Sequence, residues 1–408
     1  MTATLLIVLT VLAFGFILDT AADLLDLSQL KHRRLLPGTD ALYPKDGLER
    51  ALRYHRDWKR FHLVRRFTGG MVFLAFMFSG GFGVADSIAR TLSGPWNALL
   101  FVALLLTLRG LLDLPFSLYG TFVIEARYGF NRTTLGTFIA DQLKGIVLAA
   151  LLGGPIFLAI VWFFERTGPS GWLPAWLSVS AFQLLLAYLA PALLLPLFNK
   201  YEPVPEGEIR AAVEAFCKKI DFRINGVFQM DGSKRSTKAN AFFTGFGKLR
   251  RLVLFDTLLQ KLSQEELMAV LAHEIGHFKE RHIHKFLFLS LAASGLSFYV
   301  LSFFIGNAAL TEAFGIGQVS VYATLVAVSL LYGPISRIVG IAINTISRRF
   351  EFAADRYSAR SYGNPEALAS GLMKISTDAL ANPAPHPLRI VLDYSHPPVP
   401  ERMARLKT

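Results

Sequence analysis

Long hydrophobic runs without charge dominate the chain and predict membrane-spanning helices. Six such runs contain no Asp, Glu, Lys or Arg, and each approaches or exceeds the roughly 20 residues that cross the hydrocarbon core. They are Met1–Leu18, Phe67–Ala85, Gly145–Phe164, Thr167–Asn199, Phe286–Thr311 and Ala313–Ser336. A seventh run, Trp96–Tyr119, is apolar except for Arg109 and Asp113. The pattern predicts a mainly α multi-pass membrane protein with seven transmembrane helices, the first retained as an anchor rather than cleaved as a signal peptide.

Two polar regions interrupt the hydrophobic pattern and divide the chain. Residues 1–199 are predicted to hold transmembrane helices 1–5, and residues 200–284 a polar catalytic region. Residues 285–345 then hold helices 6 and 7, and residues 346–408 form a polar C-terminal region. The polar regions contain the motifs that carry chemistry, so we expect the functional site to be assembled from them.

Composition and charge support a membrane protein and give its orientation. Apolar residues make up 53% of the chain and charged residues 18%. Of the 42 Lys and Arg residues, many lie between the first two spans, whereas the loops on the other side offer only Arg90 and Arg166. The positive-inside rule then predicts the N-terminus outside and the C-terminus in the cytoplasm. Because topology already explains the net charge of +12, we expect no nucleic-acid partner.

The single cysteine and the C-terminal sequence indicate the cellular compartment. The lone Cys217 excludes an intramolecular disulfide and suits a reducing cytoplasmic face. The chain ends in ARLKT, without a dilysine signal, which favours a bacterial inner membrane over the alternative, an endoplasmic reticulum membrane.

The first polar region contains a motif typical of zinc peptidases, HEIGH, at His273–His277. The surrounding stretch predicts a helix with a Ser263–Glu266 capping box. A helix places the two histidines one turn apart on one face, where both can bind a single zinc ion. Glu274 is offset by one position and is the candidate general base that takes a proton from a zinc-activated water. A helix with two surface histidines is the alternative for the motif alone.

The third zinc ligand is predicted in the second polar region. The stretch ISRRFEFAADRYSAR forms another helical pattern, with Glu351 and Asp355 four residues apart on one face. Glu351 would complete a His-His-Glu set, and Asp355 could accept the second N–H of a ligand histidine. The alternative is a solvated acid pair beside Arg348 and Arg349.

A β-hairpin is predicted just before the HEIGH helix. Aromatic and branched residues flank a turn in the stretch NAFFTGFGKLRRLVLF, with the turn at residues 244–248. An edge strand beside the zinc could align an extended peptide by adding it to a sheet.

Taken together, these motifs resemble those of the type I CAAX prenyl proteases, a family of integral-membrane zinc endopeptidases. Five segments carry the resemblance, in family order from the third span to the C-terminus. They are LPFSLYGTFVIEARYGFNRTT (Leu114–Thr134), KANAFFTGFGKLRRLVLFDTLL (Lys238–Leu259), HEIGH (His273–His277), SRRFEFAAD (Ser347–Asp355) and YSHPPVPERMARL (Tyr394–Leu406). The resemblance implies seven helices around a water-filled chamber, with a zinc site at its cytoplasmic end.

The resemblance also implies roles for individual residues. His273, His277 and Glu351 match the zinc ligands, and Glu274 matches the catalytic glutamate. The remaining matches are Asn240, which would hold the substrate backbone, and His396 and Arg402 near the C-terminus. His396 could donate to the oxyanion, and Arg402 could equally be a structural partner of Glu351 or Asp355.

Several further positions are left with open alternatives. His282 and His284 are treated as surface or supporting residues, and Lys238 stands where many relatives carry a histidine. Arg109 and Asp113 either line the chamber or clamp two helices together, and the same two alternatives apply to Arg337 in the seventh span.

The leading hypothesis is a membrane-embedded zinc metalloendopeptidase with one zinc ion per chain. Its partners would be the lipid bilayer and a peptide or protein substrate, lipidated or inserted in the membrane; the family removes the C-terminal tripeptide of prenylated proteins. The sequence leaves the natural substrate and the oligomeric state open. The alternatives are a quality-control protease for damaged membrane proteins and, as a non-enzyme, a seven-helix channel, carrier or receptor.

Overall fold

The computed structural model describes residues 2–244 and 251–407 and is mainly helical. The α-helices of this part are α1 (Ala3–Lys31), α2 (Thr39–Leu42), α3 (Lys45–Phe78), α4 (Gly81–Ala89), α5 (Trp96–Tyr119), α6 (Leu135–Leu148), α7 (Gly154–Thr167), α8 (Trp172–Leu193), α9 (Leu195–Phe198), α10 (Glu208–Lys219), α11 (Asp256–Leu259), α12 (Gln264–Lys279), α13 (His282–Ser302), α14 (Ala308–Ala313), α15 (Val321–Tyr362), α16 (Pro365–Asp378), α17 (Pro387–Asp393) and α18 (Val399–Leu406). Wider π-helical turns extend α5 through Gly120–Glu125 and join α6 to α7 through Ala149–Gly153.

Six helical segments in the described residues are long and apolar enough to cross a membrane. They begin at Ala3, Lys45, Trp96, Leu135, His282 and Val321. One of these six segments, Leu135–Leu193, is 59 residues long and contains the short 3-10 turn Gly168–Gly171. At this turn α8 packs back on α7. Gly171 allows the close approach, because a Cβ there would lie only 2.8 Å from the carbonyl oxygen of Phe163. The expected count of seven spans stays a prediction.

The charge-free runs locate these helices but miss the polar extensions of two of them, α3 and α15. The predicted second span begins at Phe67, whereas α3 begins at Lys45 and includes most of the basic residues expected in a loop. The last span shows the same effect, because α15 runs for 42 residues from the apolar run into the polar C-terminal region. Arg and Lys are good helix formers, so a helix continues through them after its apolar run has ended.

A four-stranded sheet lies in the polar region that precedes α12. Its strands are β1 (Tyr201–Pro203), β2 (Val227–Met230), β3 (Ala241–Thr244) and β4 (Arg251–Phe255), in the order β1-β2-β4-β3. Strands β2 and β4 are parallel, and the two outer pairs are antiparallel. The predicted hairpin is therefore confirmed as β3 and β4, with Phe242 opposite Val253. Most of its predicted turn falls in residues 245–250, outside the described residues.

The two largest hydrophobic cores in the described residues hold different parts of the molecule together. The first joins the membrane helices through Phe82, Phe101, Phe314 and Tyr322. A second packs the sheet and α10 against α12, so that ten residues of the HEIGH helix are buried. Helix α12 also packs along α15. The HEIGH motif is thus fixed between a sheet on one side and a long helix on the other.

Candidate metal centre

Helix α12 presents the two motif histidines to one point. The predicted capping box forms, since the Ser263 hydroxyl accepts from the Glu266 N–H and the Glu266 carboxylate accepts from the Ser263 N–H. The helix is regular from there to Lys279, and the Nε2 atoms of His273 and His277 lie 3.2 Å apart. Two imidazole nitrogens facing each other at this distance are positioned to bind one cation.

Glu351 on α15 reaches the same point from the opposite side. Its Oε2 lies 3.5 Å from Nε2 of His273, and its Oε1 lies 3.4 Å from Nε2 of His277. One ligand atom from each of the three residues lies within 4.8 Å of the other two. Glu351 is 3% exposed, so its carboxylate is held among these partners rather than in water.

A glycine inside the motif allows the two helices to approach this closely. A Cβ on Gly276 would lie 3.1 Å from the Cα of Ala354 and 3.2 Å from its carbonyl oxygen. One turn further along, the Ser358 hydroxyl donates to the carbonyl oxygen of Ala269 at 2.7 Å and joins the helices by a hydrogen bond. Because Ala354 lies next to Asp355 and one turn after Glu351, this contact sets the distance between the acids and the histidines.

A second layer of contacts fixes the orientation of His273. Its Nδ1 lies 2.8 Å from Oδ1 of Asp355. The Arg402 guanidinium donates two hydrogen bonds to the Asp355 carboxylate, at 2.8 and 2.6 Å, and also lies 3.3 Å from Glu351 Oε2. A histidine that binds metal through Nε2 carries its proton on Nδ1, where Asp355 can accept it. Arg402 therefore contacts both acids.

His282 performs the corresponding role for His277. Its Nδ1 lies 3.1 Å from Nδ1 of His277, and its ring stacks on Phe350 with centroids 4.0 Å apart. Helical spacing did not predict this contact. Arg281 adopts a left-handed conformation (φ 56°), so the chain changes direction between His277 on α12 and His282 at the start of α13. Of the two alternatives for His282, surface or supporting residue, the second is correct; His284 is exposed.

The charges of this site favour a bound cation. The described residues that line the cavity or form ion pairs here include three carboxylates and one guanidinium. The carboxylates are those of Glu274, Glu351 and Asp355, and the guanidinium is that of Arg402. The buried Oε2 of Glu351 has no hydrogen-bond partner in this part of the chain. Burial lowers the pKa of His273, but hydrogen bonds with the Asp355 and Glu351 carboxylates outweigh burial and raise it to about 9. The residues therefore fit a metal ion, which would supply positive charge at this point.

A cavity of about 420 Å³ opens beside the three ligands. Glu274 lines it together with the ligands, Asn240 and His396, and burial raises the pKa of the Glu274 carboxyl group. His396 is 64% exposed, and its Nε2 lies 3.2 Å from Oε1 of Glu351. Asn240 is exposed directly before β3, the free edge strand of the sheet, whose residues also line the cavity. The arrangement places the Glu274 carboxylate, His396 and the edge of β3 around the point where the three ligand atoms converge.

Other residues singled out in the sequence lie away from the centre. Arg109 and Asp113 pair at 2.6 Å and line a separate cavity, whereas Arg337 bridges Asp19 and Asp393 and braces helices. Lys238 donates to Tyr54 and to Glu125, at 3.0 and 3.1 Å, and so anchors the start of β3 to α3.

Comparison with known proteins gives one consistent family. Residues 27–200 match the family model described as CAAX prenyl protease N-terminal, five membrane helices, and residues 203–408 match the model of peptidase family M48. The chain is 33% identical to the CAAX prenyl protease 1 homolog of Arabidopsis thaliana over 95% of this chain and 94% of that protein. It is 34% identical to CAAX prenyl protease 1 of Saccharomyces cerevisiae, over 76% and 72% of the two chains.

A solved structure supports the same relationship at the level of the fold. The crystal structure of S. mikatae Ste24p superposes with a TM-score of 0.93 at 27% sequence identity and covers 100% of both chains. The sheet, the HEIGH helix and the long α15 therefore belong to one established architecture.

Proposed function

The chain belongs to peptidase family M48 as a membrane metalloprotease of the CAAX prenyl protease type, and from this premise we propose that His273, His277 and Glu351 hold one catalytic zinc ion. The observation that carries the proposal is the convergence of three ligand atoms within 4.8 Å from two helices. Two imidazoles and one carboxylate are a ligand set of catalytic zinc sites that keep a position open for water. The excess of carboxylates over the single guanidinium supports a divalent cation at this point.

The family and the ligand set imply Lewis-acid chemistry from the metal, which polarises a carbonyl and makes water more acidic when bound. Around it, the protein supplies proton transfer and orientation. Glu274 accepts a proton from the attacking water, a role that its raised pKa suits because a base works best near the operating pH. His396, exposed at the cavity, donates to the developing oxyanion. Asp355 and His282 hold the two ligand histidines in one tautomer and orientation.

The substrate is an extended peptide that lies along β3. The free edge of this strand can accept main-chain hydrogen bonds from a peptide, and Asn240 at its start can bind the peptide backbone. Because the curated relatives are called CAAX prenyl proteases, we assign a prenylated C-terminal peptide as the substrate class. Main-chain pairing along an edge strand gives weak side-chain selectivity, which suits a protease that cleaves several C-terminal sequences.

The proposed orientation places the metal centre at the cytoplasmic face. The basic residues between the first two apolar runs, most of which lie in α3, support this orientation through the positive-inside rule. Counting Leu135–Leu193 as two spans that reverse at Gly168–Gly171 gives the seven spans of the sequence prediction. Because the basic segment after the first span lies inside, the N-terminus lies outside. An odd number of spans then puts the C-terminus inside, together with the two polar regions.

One experiment tests the metal and the substrate together. Purified protein in lipid nanodiscs is assayed for zinc by elemental analysis and for cleavage of a fluorogenic farnesylated CAAX peptide, beside the same peptide without the farnesyl group. We expect one zinc per chain, loss of cleavage on chelation and recovery on adding zinc. Equal cleavage of the two peptides would reject the prenylated substrate class, and a fully active, zinc-free protein would reject the metal centre.

A further inference from the structure

A crevice between α3 and α5 lies outside the space that the membrane helices enclose. It measures about 470 Å³, and Arg60 and Val64 are part of its α3 wall. The α3 residues that line the crevice point about a quarter-turn away from those that line the enclosed cavity. Phe116 lines both spaces, and its ring contacts that of Phe61 with centroids 5.9 Å apart. These two rings therefore form the wall between the crevice and the interior.

The exposed face of α3 changes from basic to apolar at this crevice. Val64, Met71 and Phe78 are each more than half exposed, and their spacing of seven residues places them on one face. Arg53 and Arg60 continue this face toward the start of the helix, and both are exposed. Large apolar side chains on the outside of a membrane helix meet hydrocarbon, whereas arginine stays at its polar boundary. This boundary therefore lies between Arg60 and Val64.

Helix α5 shows the same change on the other wall of the crevice. Leu111 is more than half exposed, and Arg127, which is also exposed, follows the π-helical turns that extend α5. Between them, Tyr119 stacks on Phe61 with centroids 5.4 Å apart. Tyrosine is enriched at the level of the lipid head groups. Both walls thus place an arginine at the boundary, with apolar surface on the membrane side.

The crevice carries a surplus of positive charge. Its lining contains two guanidinium groups, those of Arg60 and Arg127, and one carboxylate, that of Asp57. Arg127 donates to Oδ2 of Asp57 at 2.8 Å, and the Tyr128 hydroxyl donates to the same oxygen at 2.9 Å. These contacts hold Arg127 in place and occupy Asp57. Arg60 forms no ion pair in residues 2–244 and 251–407, so its charge is free to bind an anion.

We propose that this crevice binds an anionic phospholipid of the cytoplasmic leaflet. The lipid phosphate pairs with Arg60 and Arg127, and an acyl chain follows Val64 and Tyr119 toward the hydrocarbon. A soluble anion would leave the apolar part of the crevice uncovered, and a zwitterionic lipid would not offset the surplus charge. The leaflet follows from the proposed orientation of the chain, but binding itself depends neither on the metal nor on the peptide substrate.

Photolabelling tests the proposal on the full chain in phosphatidylcholine nanodiscs. The probe, a minor component of the bilayer, is phosphatidylglycerol with a diazirine in one acyl chain. The matched control is phosphatidylcholine with the same labelled chain. We expect saturable labelling of peptides containing Val64 or Tyr119, about fivefold weaker with the control lipid, since one basic residue contributes roughly that factor near the membrane surface. Arg60→Gln should lower labelling by phosphatidylglycerol about fivefold, to the level of the control lipid.

A second arginine serves as the matched charge control. Arg34→Gln removes one positive charge from the exposed loop between α1 and α2 and should leave labelling of the crevice unchanged. Arg60→Glu should weaken labelling by phosphatidylglycerol further than Arg60→Gln. Unchanged labelling of the same peptides by phosphatidylcholine, together with size-exclusion chromatography, shows that each variant is folded.

Three results would overturn the proposal. One is equal labelling by the two lipids in the unaltered protein. Another is an equal loss in Arg34→Gln and Arg60→Gln, because the attraction would then depend on net charge and not on the crevice. The last is displacement of the probe by inorganic phosphate at constant ionic strength, because the two arginines would then bind a soluble anion.

Discussion

The protein contains two partly buried clusters of charged residues that differ in their balance of charge. The first, the metal-site cluster, consists of His273, Glu274, His277, Glu351, Asp355 and Arg402. The second, which we call the brace cluster, joins α1, α3 and α15 to α17. Its members are Asp19, Asp23, Asp26, Asp393, Lys59, Arg66, Arg337 and Arg389.

The brace cluster balances its own charge. Its four carboxylates and four cations pair with one another, and Asp26, which is 0% exposed, has Lys59 at 2.7 Å. Asp26 also accepts the backbone N–H of His386 at 2.7 Å, so it fixes the start of α17. In the metal-site cluster, by contrast, three carboxylates face one arginine and the Nε2 atoms of two histidines converge. Burial alone does not distinguish a binding site from a brace, but unbalanced charge with converging ligand atoms does.

The largest expected effect comes from removing the third ligand. Glu351→Ala should abolish both metal binding and peptide cleavage, because two histidines on one helix turn leave the cation with too few ligands. Elemental analysis and the cleavage assay check this, with Asp26→Asn as the matched control for loss of a buried carboxylate. Unchanged zinc content in Glu351→Ala would remove this residue from the ligand set.

Replacing the general base should separate metal binding from catalysis. Glu274→Gln keeps the size of the side chain but cannot accept the proton, so kcat should fall about 100-fold to 10,000-fold. Zinc content should stay at one per chain, because Glu274 is not a ligand. Full activity in this variant would assign proton transfer to another residue.

Loss of one charge from the brace cluster should lower the stability of the protein. Asp26→Asn leaves a buried surplus of positive charge, and the free energy of unfolding should fall by about 3 to 5 kcal/mol. Thermal and denaturant unfolding in detergent measure this change. Zinc content and kcat of the folded fraction should remain those of the unaltered protein, and a parallel loss of zinc would mean that the two clusters are not independent.

Removal of the proposed oxyanion donor should affect turnover only. His396→Ala should lower kcat about 100-fold to 1,000-fold, as removal of single oxyanion donors does, with zinc retained. Its exposure makes a large change in stability unexpected. A variant that loses zinc instead would indicate that His396 supports Glu351, which lies 3.2 Å away, rather than the substrate.

The smallest effects are expected from the residues that orient the ligands. His282→Phe keeps the stacking on Phe350 but removes the contact with His277, and it should weaken zinc affinity about 10-fold to 100-fold. Asp355→Asn makes the equivalent change at His273 and should have a similar effect. Competition with a zinc chelator measures both affinities, and values equal to that of the unaltered protein would show that these contacts do not tune the site.

The sequence predicted those parts of the molecule that depend on local spacing. The i,i+4 spacing of His273 and His277, the Ser263 cap and the aromatic and branched runs of β3 and β4 each specify a local conformation, and all three are confirmed. Hydrophobic runs located the membrane helices for the same reason. These runs missed the start of α3 and the end of α15. Charged residues interrupt the apolar pattern there, while the helical hydrogen bonds continue.

The convergence itself was decided by tertiary packing. Glu351 and Arg402 are far from His273 in the chain, and no periodicity relates them. Gly276 lets α15 approach α12, the reversal at Arg281 turns His282 back to His277, and the docking of α18 brings Arg402 to Asp355. The sequence by itself determined which side chains could bind a metal and on which helix face they lie. Only the folded chain decided their separation, because the distance between two helices depends on the small residues and buried hydrogen bonds at their contact.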